Sequence, residues 1–129
     1  MKQLALRVMA SLAALGLTTI GLFALLAPQE LMRQTGLASI GALGFNFVRG
    51  DVAASMLVVA FLAGRAAMRG DGQGLAMPLL WAVLVIAGRC LGLFADADGF
   101  SAARALVPGL VLALLLAPPF LLMRPNATR

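Results

Sequence analysis

The sequence predicts an all-α membrane protein: four transmembrane helices in an antiparallel bundle, with a short interfacial segment between the first and the second, in one domain over residues 1–129. Three observations carry this. Hydrophobic residues make up 62% of the chain and charged residues 12%, with a mean hydropathy of +1.00, whereas soluble domains approach about a quarter charged. The apolar residues fall into four runs of about 20, each long enough at 1.5 Å per residue to cross a hydrocarbon core of ~30 Å. Most charges lie between those runs or near their ends.

The first run, residues 8–27, follows Lys2 and Arg7 and is closed by Pro28. A basic stretch before an apolar one also opens a secretory signal peptide. This run exceeds the roughly 7 to 15 residues of a signal-peptide core, and Ala24-Leu25-Leu26-Ala27 is not an A-x-A cleavage site, so an uncleaved helix is expected. Between Gln29 and Phe45 the polar Glu30, Arg33 and Gln34 mix with Leu31, Met32, Leu37, Ile40 and Leu43. That stretch suits a short piece lying at the interface, too short to span.

The second span is expected over 46–67, leading through Arg69 into a turn built on Gly70, Gly72 and Gly74. Pro78 fits the first turn of a third span over 76–95, where proline loses no helical hydrogen bond. Asp96, Asp98, Gly99 and Ser101 form the next turn, and Ser101 is suited to cap the helix after it. The fourth span, 105–123, carries Pro108 early and Pro118-Pro119 late, so its last turns are expected to be kinked or unwound.

An even number of spans places both termini on one side with the loop after the second span, and that side collects Lys2, Arg7, Arg65, Arg69, Arg124 and Arg129. Basic residues favour the cytoplasm, which predicts a multi-pass protein of a bacterial inner membrane with both termini cytoplasmic. The net charge of +5 and the pI near 11.5 therefore reflect topology, and no nucleic-acid partner is expected. The partners expected are the lipid bilayer and a second copy or another membrane protein. Histidine and tyrosine are absent and Cys90 is the one cysteine, which removes histidine metal ligation, intramolecular disulfides and serine–histidine triads. No metal, cofactor or independent catalysis is expected.

The polar residues inside the spans make the candidate site. Asn46, Arg49 and Asp51 head the second span, and Arg89 and Asp96 end the third. Charge within a span is costly and normally faces protein or water. At about 100° per residue Asn46 and Arg49 share a face with Ala53 and Met56, while Asp51 points nearly the opposite way. Arg89, Gly92 and Asp96 share a stripe on the third span. These phases predict an outward-facing network of Asn46, Arg49, Arg89 and Asp96, with Asp51 turned towards another helix or a second protomer. An arginine near the interface also has a plainer explanation, in which its guanidinium simply extends to the headgroups. Gly88 and Gly92 form a G-x-x-x-G spacing expected to pack closely against a neighbour.

Asn46-x-x-Arg49-x-Asp51, followed by Gly88-Arg89-x-x-Gly92-Leu93-x-x-Asp96, resembles a family of small four-span bacterial membrane proteins catalogued as a domain of unknown function, similar in general character to the DoxX-like proteins. The resemblance covers nearly the whole chain, including the proline after the first span. It departs at Asp51 and Val52, where the family tends to small residues, and at Ala97, where a glycine is expected. It implies the fold and the placing of the site and brings no activity. Two functions remain: a binding or accessory subunit whose polar pocket holds a small polar or anionic ligand, a lipid headgroup or a partner, and a small transporter or redox-complex subunit.

Overall fold

A computed structural model describes residues 1–35, 46–95 and 102–123, and every regular element among them is helical. Helix α1 spans Lys2–Leu26 and ends where Pro28 forbids its continuation; Pro28 instead opens α2, Pro28–Thr35. Helix α3, Val48–Arg69, begins with a wide turn at Val48–Val52 and continues as a regular α-helix over Ala53–Arg69. A single 3₁₀ turn, Gln73–Leu75, leads into α4, Ala76–Ala95, and α5 follows over Ala102–Leu122.

Three stretches are long and apolar enough to cross a membrane: Lys2–Leu26, Val48–Arg69 and Gln73–Leu91. The apolar part of α5, Leu106–Leu122, is 17 residues long, or about 26 Å at 1.5 Å per residue, a little short of a ~30 Å core. Of the kinked or unwound last turns expected from sequence, the unwinding does not occur at its prolines. The helix runs through Pro118 and Pro119, and the Met123 N–H closes the last turn on the Pro119 carbonyl at 2.9 Å. Proline removes one donor but leaves its own carbonyl available, so the turn after it still forms.

Helix α1 is the hub. Its most extensive pairing is with α3, and it also packs on α5; α4 packs mainly on α5 and more lightly on α3. The α1–α3 seam is lined by alanine: Ala10, Ala13, Ala14, Ala63, Ala66 and Ala67 are all buried. Lipid tails are as apolar as leucine, so helices in a membrane gain little from burying apolar area and rely on close van der Waals contact, which small side chains permit. Gly21 follows the same logic, since a Cβ there would lie 2.9 Å from Leu57 Cγ; on the α4–α5 side a Cβ at Gly109 would lie 2.8 Å from Ile86 Cγ1. The hydroxyls of Thr18 and Thr19 donate to the carbonyls of Ala14 and Leu15 on their own helix, so neither needs a partner in lipid.

The end of the bundle holding the α3–α4 turn is closed tightly. Gly70, at φ +67°, terminates α3, with its own N–H donating to Ala67 and that of Asp71 to Ala66, the paired closure that a left-handed glycine allows. The Arg7 guanidinium rests directly on Gly70. Gly72 faces the carbonyls of Pro119, Phe120 and Met123, the nearest of which would sit 2.7 Å from any Cβ. Asp71 Oδ1 accepts from the Gln73 N–H at 3.1 Å, which holds the start of the next turn.

Of the stretch between the first two spans that the sequence assigns to the interface, the described part is helix α2. Met32 is buried against Ala24, Val48 and Ala53, while Glu30, Arg33 and Gln34 stand together on the outer surface. Arg33 grips Glu30 with two hydrogen bonds, at 2.9 and 2.6 Å, and the Gln34 amide donates to the same carboxyl at 2.9 Å. Those donors, Arg33 first and then Gln34, hold the Glu30 carboxyl down from 4.5 to about 2. Leu37, Ile40 and Leu43, which the sequence assigns to the same interfacial piece, lie outside the described residues.

Candidate functional site: a widened turn at the head of α3

The buried positions of α3 descend as Ala53, Ala60, Ala63 and Ala67, spaced three, four or seven residues apart as an α-helix requires. Continued upward at that spacing, the buried stripe would meet Arg49, four residues before Ala53. That would drive a guanidinium into the seam with α1. The chain avoids this by widening one turn. The Ala53 N–H reaches back to the Val48 carbonyl, five residues away, so Val48–Val52 is a π-turn carrying one residue more than an α-helical turn.

The extra residue shifts the phase of everything before it. Val48 and Ala53, which in an α-helix would lie about 140° apart at 100° per residue, now stack on one face. Both are buried, at 4% and 0% exposure, in one cluster with Ala24 and Met32. Arg49, Gly50 and Asp51 are all exposed. The stripe of Asn46, Arg49, Ala53 and Met56 expected from sequence is therefore broken: Ala53 is in the core, but Arg49 is not beside it. Gly50 sits halfway round the turn from Val48, directly away from the core, with nothing within 4 Å of where its Cβ would be. Arg49 and Asp51 flank it on either side.

Those two charges do not neutralise each other. Among the described residues the one ion pair is Glu30 with Arg33, and neither Arg49 nor Asp51 makes a hydrogen bond or ion pair there. Helical residues two apart do not face each other, which accounts for the missing pair. Asn46 is also exposed, in the helical turn just before Val48.

Arg89 lies on α4, half-buried and already engaged in an interaction. It stands six residues before Ala95, or about 9 Å below that end at 1.5 Å per residue. Asp96, its expected partner, lies outside the described residues, and so does whatever surrounds Gly92. The close contact expected at Gly88 is not made among the described residues, because a Cβ there would meet nothing within 4 Å. Phase arithmetic along α4 places Gly88 and Gly92 on one stripe, but α4 turns that stripe outward at Gly88; Gly21, Gly72 and Gly109 are among the glycines that do meet a neighbour closely. Cys90 is half-buried as a free thiol.

Sequence reasoning missed the π-turn. Its signal was nonetheless present: the apolar period of the span, extended upward, collides with Arg49, and one inserted residue is the least disruptive way to resolve the collision. A short polar Arg-Gly-Asp tract backed by a buried valine is what this leaves on the surface, at the N-terminal end of a helix long and apolar enough to cross a membrane. Such an edge carries a cation and an anion, one on each side of Gly50. No family model matches the sequence, and neither a curated protein nor a solved structure matches it.

Proposed function

We propose that the chain is a small accessory protein of a bacterial inner membrane that docks to a partner in the plane of the bilayer through Arg49, Gly50 and Asp51. In this reading it is a four-span antiparallel bundle, as its four apolar runs imply, with both termini cytoplasmic, as its basic residues imply, and the docking edge lies at the outer boundary. The observation that carries the proposal is the π-turn. It holds Val48 and Ala53 in the core and sets two unpaired charges of opposite sign outward, one on each side of a bare glycine. Widened turns of this kind concentrate at functional sites. The interior speaks for docking over transport: where it is described, it is packed with alanine, leucine, valine and methionine from end to end.

The test is the size of the particle carrying the chain after extraction in a mild detergent. Wild type and Arg33→Ala should both run above the monomer mass, and Arg49→Ala combined with Asp51→Ala should fall to it. A wild-type protein that runs as a monomer would remove the docking reading.

A further inference from the structure

We infer that the partner at this edge is a second copy of the chain, joined by a two-fold axis along the membrane normal that passes beside Gly50. The inference rests on the docking reading above and deepens it. Two copies in one bilayer have the same orientation, so their α3 helices meet in parallel and the corresponding residues lie at the same depth. A two-fold interface is self-complementary: what one subunit presents on its left flank meets what the other presents on its right.

Flanking positions in parallel helix pairs behave this way in coiled coils, where the residue on one side of the seam pairs with the residue on the opposite side of the partner. Here Gly50 takes the place of the seam, with Arg49 on one flank and Asp51 on the other. Apposed copies would set each Arg49 against the partner's Asp51, giving two ion pairs at one depth from residues that have none among the described part of the monomer. The charge pattern selects this partner because it is complementary to itself.

The surface below Gly50 agrees. The exposed face of α3 continues through Ala54, Val58, Phe61, Arg65 and Met68. Gly50 and Ala54, four apart at the top, allow two backbones to approach, and Val58 at 58% and Phe61 at 66% exposure hold them apart lower down. Pairs that cross at small residues do so at about 40°, so the two helices diverge away from Gly50, which keeps the two Arg65 cations separated.

The full chain in native membranes provides the test, in a Cys90→Ala background carrying Gly50→Cys. Mild oxidation should yield a disulfide-linked dimer, since a residue beside a two-fold axis meets its own copy. Adding Arg49→Asp alone, or Asp51→Arg alone, sets like charges against each other and should cut cross-linking by about tenfold, the change that 1.4 kcal/mol produces. Combining the two reversals should restore it, which also shows that the single variants had not merely misfolded. Cross-linking that ignores the single reversals, or that the double reversal fails to restore, overturns the two-fold arrangement. Two differently tagged wild-type copies should purify together. If they do not, while the wild-type particle still exceeds the monomer mass, docking stands with a different protein and the self-pairing is wrong.

Discussion

Arg33 and Gln34 keep the Glu30 carboxyl ionised well into acid. The folded-state value is the lower one, so whatever the cluster adds to α2 is complete above pH 4.5 and fades as the pH falls from there through about 2. Arg33→Gln should move the Glu30 titration back towards the ordinary carboxylate range, read from the carboxyl-carbon NMR shift; an unmoved titration would mean that Arg33 is not what holds it. The glycines divide just as sharply. Gly21→Leu forces a side chain into Leu57 and should lower stability by about 1 to 3 kcal/mol, whereas Gly88→Leu enters open space and should leave the melting temperature unchanged. The sequence marks Gly88 through its spacing to Gly92. It does not mark Gly21, because which glycine is tight depends on which helix lies opposite.

At the scale of the element, α3 was legible as a span and illegible in its first turn. The apolar run sets the helix, and Gly70 ends it where the glycine-rich turn was expected. The phase of Arg49 could not be read from 100° steps, since a single added residue rotates every position before Ala53. This gives a deletion test. Removing Gly50 would leave Val48 four residues from Ala53, the normal α-helical spacing, and both would still face α1. The deletion should therefore fold with a melting temperature near wild type and regular helix content by circular dichroism, yet lose the assembly above monomer mass. A collapse in stability would show instead that the core depends on the widened turn. The last helix likewise departs from its sequence at the prolines, where the i→i+4 bond closing on Pro119 keeps the end helical.

For the whole molecule, composition and run length were enough to give an all-helical chain with helices of spanning length, because both are sums over many residues and tolerate local error. Which helix sits at the centre was not legible. Alanine is a weak signal in a hydropathy profile, and α1 looks like any other apolar run until its alanines are seen against those of α3. Reporter fusions at Asp71 and Gly99 should read opposite sides of the membrane, Asp71 inside and Gly99 outside. The same side for both would sink the antiparallel arrangement of α3 and α4.

The hub position of α1 also has a consequence in time. During synthesis α1 emerges first, but Arg7 has nothing to rest on until Gly70 is made, and the alanine face has no partner until α3 is complete. At about 5 to 20 residues per second, the 43 residues between Leu26 and Arg69 take about 2 to 9 s to add. Throughout that interval a bare helix must lodge in the bilayer with its future interface open to lipid. An interface glued by buried polar groups would be stranded there, whereas a face of alanine and leucine is at ease in hydrocarbon from the start. On this view the waiting chain, as much as the finished bundle, explains the absence of a polar lock from the described part of the seam.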